Sequence, residues 1–106
     1  MLQRIRRRYL ALKIVSEQPI NKSDLLNSVW NKVHQLYGEY GASQVSLSLI
    51  EHNPEGNYAI IRCSHKAVEM VRASIATITK INEKTVTIHI VGVSGTLKSL
   101  RKKFLS

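Results

Sequence analysis

Two alternating runs and the turn between them sit at the centre of the chain. They read Gln44-Val45-Ser46-Leu47-Ser48-Leu49-Ile50-Glu51, then Asn53-Pro54-Glu55-Gly56-Asn57, then Tyr58-Ala59-Ile60-Ile61-Arg62-Cys63. In the first run Val45, Leu47 and Leu49 alternate with Ser46 and Ser48, the period of a half-buried strand. Pro54 and Gly56 between two asparagines mark a turn of hairpin length. Beyond it Ala59, Ile61 and Cys63 fall on one side of a second strand, with Tyr58, Ile60 and Arg62 on the other. An antiparallel hairpin therefore occupies the middle, and what flanks it decides the fold.

On the N-terminal side, Asn21 with Asp24 three residues on opens a helix through a variant of the capping box. Leu25, Leu26, Val29, Trp30, Val33, Leu36, Tyr37 and Tyr40 then recur at helical spacing, and Gly38 or Gly41 ends the run. Trp30 on this stripe is read as core. Further upstream, Arg8 to Val15 alternates Leu10, Leu12 and Ile14 against Tyr9, Ala11 and Lys13, a first strand.

On the C-terminal side, Ser64 is the expected N-cap of a second helix bearing Val68, Val71, Ile75 and Ile78, with Asn82 as its C-cap. Thr85 to Val91 is a fourth strand, with Val86, Ile88 and Ile90 inward and Thr85, Thr87 and His89 outward. Gly92-Val93-Ser94-Gly95-Thr96 forms a turn into a short cationic helix whose packing stripe is Leu97, Leu100 and Phe104.

The order β-α-β-β-α-β plus a terminal helix predicts an α+β, ferredoxin-like sandwich. Both long helices cover one sheet face, and the other is open or only partly covered. The RNA-recognition motif shares this architecture, as do many unrelated modules. At 106 residues the chain is read as one domain spanning 1–106.

Sixteen Lys and Arg against seven Asp and Glu give a net charge of +9, which favours phosphate polymers or anionic membranes. Arg4, Arg6, Arg7 and Arg8 crowd the start; Lys98, Arg101, Lys102 and Lys103 crowd the end. The two clusters form one patch if the termini lie close, and two solvated tails otherwise. Arg62 and Lys66 are further candidates. Ser94, Gly95 and Thr96 precede a helix N-terminus, where unpaired N–H groups suit phosphate, although the same residues also serve as a plain turn and cap. No apolar run reaches the length of a membrane span, and the single cysteine, Cys63, fits a reducing, cytoplasmic setting.

Catalytic groups are not assembled. His34, His52, His65 and His89 fall in different elements without metal-ligand spacing, and the carboxylates are dispersed. Ser94 lacks the G-x-S-x-G frame. No catalytic or metal-binding residue is therefore expected. The outward sheet face offers Tyr9 and Tyr58, but Ile60 stands where a second stacking aromatic would be needed. With 6% aromatic residues, Tyr9, Tyr58 and Ile60 read as a protein interface. RNA contact is expected from basic edges and helix ends, reading backbone and shape.

Three segments carry a family resemblance: Leu36-Tyr37-Gly38-Glu39-Tyr40-Gly41, Ile61-Arg62-Cys63-Ser64-His65-Lys66 continuing to Val71-Arg72-Ala73, and Gly92-Val93-Ser94-Gly95-Thr96 with its basic tail. Together, over about Arg6 to Leu105, the chain resembles archaeal ribonuclease P protein component 2, counterpart of the eukaryotic Pop5-type subunit. The lack of long insertions and tails suits the archaeal type.

The resemblance implies a protein subunit of ribonuclease P, which removes the 5′ leader from precursor tRNA. It implies that the Mg²⁺-dependent active site belongs to the RNA subunit and that the protein itself binds no cofactor. The implied partners are that RNA, precursor tRNA, the other ribonuclease P proteins, and above all protein component 3, in a heterodimer or a two-plus-two heterotetramer. The family's motif positions fall here on Arg62, Ser64, His65, Lys66, Arg72, Gly92, Ser94, Gly95 and Thr96.

The main alternative is a free-standing RNA-recognition-like module binding single strands through Tyr9 and Tyr58. The scarcity of aromatics argues against it. The +9 charge argues against a metabolite-binding regulatory domain, and the lack of a large apolar terminal helix face against a membrane-surface protein.

Overall fold

A computed structural model describes residues 6–55 and 57–105, the last two by their backbone alone. Five strands, β1 (Arg7–Ser16), β2 (Ser48–Asn53), β3 (Tyr58–Ser64), β4 (Lys80–Ile81) and β5 (Lys84–Ser94), form one antiparallel sheet in the order β2-β3-β1-β5-β4. Helices α1 (Lys22–Ser43) and α2 (Val68–Ala76) pack on one face. The short α3 (Leu97–Leu100), continued by a π-helical turn over Arg101–Leu105, lies on the other. The class is α+β.

The core between sheet and helices follows the sequence alternation. Leu10, Leu12 and Ile14 of β1, Ala59, Ile61 and Cys63 of β3, and Val86 and Ile88 of β5 meet Leu25, Val29 and Val33 of α1 and Val71 and Ile75 of α2. Each large aliphatic side chain buried there contributes about 1.5–3 kcal/mol. Trp30 is half-buried against this core, with its ring edge-on to His34 at 4.9 Å.

Helix α1 starts where expected, but the cap differs in detail. Asn21 Oδ1 accepts the Ser23 N–H at 2.7 Å. The expected stripe stops early: Leu36, Tyr37 and Tyr40 are exposed, Tyr40 by 81%. The cause is Gly38, whose φ of 73° and ψ of −176° break the helix and redirect its last turn. Strand β2 begins at Ser48, four residues later than the alternation implied, because Ser46 adopts φ 51° and ends the extended run there. Val45 is nonetheless fully buried, as a plug ahead of the strand.

Ser64 does not cap the second helix. Its hydroxyl donates to Gln44 O at 2.7 Å, tying the end of β3 to the α1–β2 link, and a 3₁₀ turn over His65–Ala67 leads into α2. Asn82 is not a helix cap either. Asn82 and Glu83, both at positive φ, form the two-residue turn joining β4 to β5, the geometry of a type I′ hairpin.

Two register shifts shape the outer face. In β5, Gly92 opposes Ala11 while Ile90 opposes Leu12, so Val91 is the extra residue, and Gly92 lies within a strand instead of in a turn. In β2, Leu49 opposes Ile61 and Glu51 opposes Ile60, so Ile50 is extra and packs on the outer face. There Ala11, Ile60 and Leu100 are buried together, flanked by Tyr9, Ile50 and Leu97. Ile60, expected on a protein-docking face, is thus 0% exposed, and its cover is this chain's own terminal helix. The packing stripe of that helix includes Leu97 and Leu100 as expected; the side chain of Phe104 lies outside the described residues.

Candidate nucleic-acid interface

Strand register gathers the basic residues. Arg7 opposes Ser64, Arg8 opposes Cys63, and Tyr9 opposes both Arg62 and Ser94. The His65 N–H donates to Arg6 O at 2.7 Å, extending the pairing one step further. The start of β1 and the ends of β3 and β5 therefore share one end of the sheet. The Arg8 guanidinium lies over Gly95, where an added Cβ would sit 3.2 Å from its Nη1. Arg8 thus reaches the turn that begins the cationic C-terminal helix. Arg4 lies outside the described residues.

Burial sorts these side chains. Arg6, Arg7, His65 and Lys66 are exposed, whereas Arg8 and Arg62 are half-buried. Arg62 Nε is buried and has no hydrogen-bond partner among the described residues. The cluster also contains no ion pair: the two found among the described residues, Arg72–Glu69 at 3.7 Å and Arg101–Glu51 at 2.8 Å, lie elsewhere. Like charges packed together without carboxylates repel one another until a polyanion arrives.

The turn before the helix is largely self-satisfied. Ser94 Oγ faces the Thr96 N–H at 3.4 Å, and Thr96 Oγ1 accepts the Ser99 N–H at 3.2 Å as the N-cap. Two donors that an incoming phosphate would use are already engaged. Lys98, Lys102 and Lys103 are exposed along the helix. Arg101 instead reaches β2, where its hydrogen bond and attraction to Glu51 raise its pKa above the ordinary value. Sequence reasoning missed Glu51; its only signal was a lone carboxylate on a strand of a strongly basic chain.

Tyr9 is half-buried beside the Ala11–Ile60–Leu100 cluster, and Tyr58 is half-buried near Arg101. The Cys63 thiol is pushed up to about 11 by burial, so it carries no thiolate at neutral pH. Burial, then the nearby Lys22 charge, lowers the His52 pKa, opposed by a backbone hydrogen bond at Ile20. Among the described residues no three His, Cys, Asp or Glu side chains gather as a metal-binding group. Among those same residues, no helix is long and apolar enough to cross a membrane.

The Rpp14/Pop5 family profile matches residues 8–105. Ribonuclease P protein component 2 of Methanosarcina barkeri is 41% identical over 102 residues, covering 96% of this chain and 74% of that protein. The Pyrococcus furiosus protein of the same name is 36% identical over 103 residues, 97% of this chain and 86% of that one. A chain in the cryo-EM structure of yeast ribonuclease MRP superposes with a TM-score of 0.70 at 20% identity, over 91% of this chain and 79% of that chain, a likeness of fold. By the near-complete family match and these levels of identity, the chain belongs to the Rpp14/Pop5 family.

Proposed function

We propose an RNA-organising, non-catalytic role for this chain, which is a protein subunit of ribonuclease P, an endoribonuclease. It binds the ribonuclease P RNA through the basic end of the sheet and holds that RNA in the geometry that cleaves the 5′ leader from precursor tRNA. The observation that carries this reading is the convergence of Arg6, Arg7, Arg8, Arg62 and Lys66 without an ion-paired carboxylate among the described residues. Lys98, Lys102 and Lys103 continue the cationic surface along the terminal helix, and Ser94, Gly95 and Thr96 hold the turn between the two.

Counterion release from phosphates drives such binding, and it needs cations without competing carboxylates. Arg62 is suited to a phosphate because it is half-buried at the basic end of the sheet and a guanidinium presents several N–H donors in a fixed fork; its Nε–H, which is buried, is not the donor that would meet the phosphate. The Mg²⁺ of the reaction belongs to the RNA, and protein component 3 is the direct protein partner, in a cytoplasmic ribonucleoprotein. The order β2-β3-β1-β5 of the four long strands, with α1 and α2 on one face, supports the ferredoxin-like description of the fold.

Reconstitution tests this. Adding the chain to ribonuclease P RNA, with and without component 3, should raise precursor-tRNA cleavage at modest Mg²⁺. No gain in cleavage and no RNA binding at low salt would overturn the proposal.

A further inference from the structure

The terminal helix covers only part of the outer sheet face. Ala11 and Ile60, opposite one another on β1 and β3, lie beneath Leu100. Two residues along, Lys13 faces Tyr58 on β3 and His89 on β5. Side chains alternate along a strand and register partners share a face, so Tyr58, Lys13 and His89 form a lateral row on that same outer face. Register partners have Cα atoms about 5 Å apart, so the two ring-bearing positions stand about 10 Å apart with an ammonium between them.

This row is accessible. Lys13 and His89 are exposed and Tyr58 is half-buried. The next pair, Val15 opposite Thr87, continues the floor, with Val15 50% exposed. Arg101 borders the row from the helix, near Tyr58, and pairs with Glu51 at its edge. No carboxylate occupies the row's register positions. Aromatic faces suit bases, and a lysine between them suits the phosphate that links two bases. A docking protein would gain little from an isolated lysine flanked by two rings, whereas the net charge of +9 favours a polyanion.

We propose that the Tyr58–Lys13–His89 row takes up an unpaired stretch of RNA, stacking bases on Tyr58 and His89 and pairing Lys13 with the intervening phosphate. The inference rests on the chain being a ribonuclease P RNA-binding subunit, and it adds base stacking to the phosphate contacts at the other end of the sheet.

The test uses the full chain with ribonuclease P RNA and component 3, reading affinity against salt and chemical protection of unpaired nucleotides. Tyr58→Ala and His89→Ala should each weaken binding about five- to a hundredfold with little change in salt slope. Lys13→Ala should lower the slope by about 0.7, the single-strand value for one lost phosphate contact. Each variant should uncover the same short unpaired segment, and Tyr58→Phe should restore wild-type binding. Wild-type affinity and protection in all three alanine variants would overturn the row while leaving the function intact. Normal RNA binding with weakened component 3 pairing would assign the face to protein and equally overturn it. Failure of the wild-type chain to bind the RNA would overturn the proposed function itself, and the row with it.

Discussion

Arg101 Nη2 donates to Glu51 Oε1 at 2.8 Å, a pair that spans fifty positions of sequence and clasps the terminal helix to strand β2. Beneath the clasp, Leu100 closes over Ala11 and Ile60. The helix is too short to be stable alone, so its position depends on these contacts. Removing the carboxylate should free the helix without disturbing the sheet. In Glu51→Gln, amide exchange should quicken across residues 97–105 while β1, β3 and β5 keep their protection, measured by hydrogen–deuterium exchange. Uniform exchange across the chain would contradict the clasp.

Leu100 is the apolar half of the same attachment. It is fully buried, and Leu→Ala at such sites costs about 2–5 kcal/mol, less where the surroundings can collapse. Its cover is a short helix on a satellite cluster, so Leu100→Ala should cost about 2–3 kcal/mol, read from the urea midpoint at constant slope. Ile60→Glu should be worse, since it buries a charge with no partner.

The inner core was legible in the sequence because period-two alternation in Leu10–Leu12–Ile14 and Ala59–Ile61–Cys63 has a single physical meaning once one face is buried. The outer face was less legible. Ile60 read as outward, and so it points, but no local pattern shows that a helix forty residues later returns to cover it. The β4–β5 hairpin was missed because Glu83 sits at φ 68°, a conformation its residue type does not advertise. The bulges at Ile50 and Val91 were invisible for a related reason: an extra residue leaves each flanking alternation intact. At the candidate site, clustering of like charge signalled the cations, but their convergence came from register.

The basic end should act through phosphate contacts. Arg7 and Lys98 are both exposed, one on β1 and one on the terminal helix, and neither forms an ion pair among the described residues. Arg7→Ala and Lys98→Ala should each reduce the slope of log affinity for ribonuclease P RNA against log salt by about 0.9. Arg101→Ala should reduce it less, because Glu51 already shares its charge. Equal slopes for all three would show that Glu51 does not hold Arg101 back from phosphate.

Gly38 and Gly41 should resist substitution for different reasons. At φ 73° and ψ −176°, Gly38 occupies a region nearly closed to other residues, yet nothing stands within 4 Å of an added Cβ. Gly38→Ala should therefore cost about 1–3 kcal/mol through backbone strain alone. At Gly41, an added Cβ would lie 3.2 Å from Met70 Cε and would clash outright with Tyr37 Cβ. Gly41→Ala should displace the end of α1 from α2, visible as loss of amide protection over residues 38–43. Gly38→Ala, if only strained, should lower the melting temperature and keep that protection pattern.

The Cys63 thiol gives a pH signature of the inner core. Burial raises its pKa from the ordinary 9.0 to about 11, and the side chain has no solvent exposure. Below pH 9 the thiol is protonated in both folded and unfolded chains, so the contribution of this group to stability is constant. Between pH 9 and 11 the unfolded chain releases the proton while the folded chain retains it, so the unfolded state binds fewer protons and stability falls as pH rises. Cys63→Ala removes the titration. Its melting temperature should decline less steeply than that of the wild type across this window, after subtraction of the shared background from lysine and tyrosine titration. Reaction of native Cys63 with a thiol reagent at pH 8 should proceed only through unfolding, and its rate should rise in Leu100→Ala only if the outer helix and inner core open together. A rate unchanged by Leu100→Ala would mean that the two faces of the sheet open as separate units.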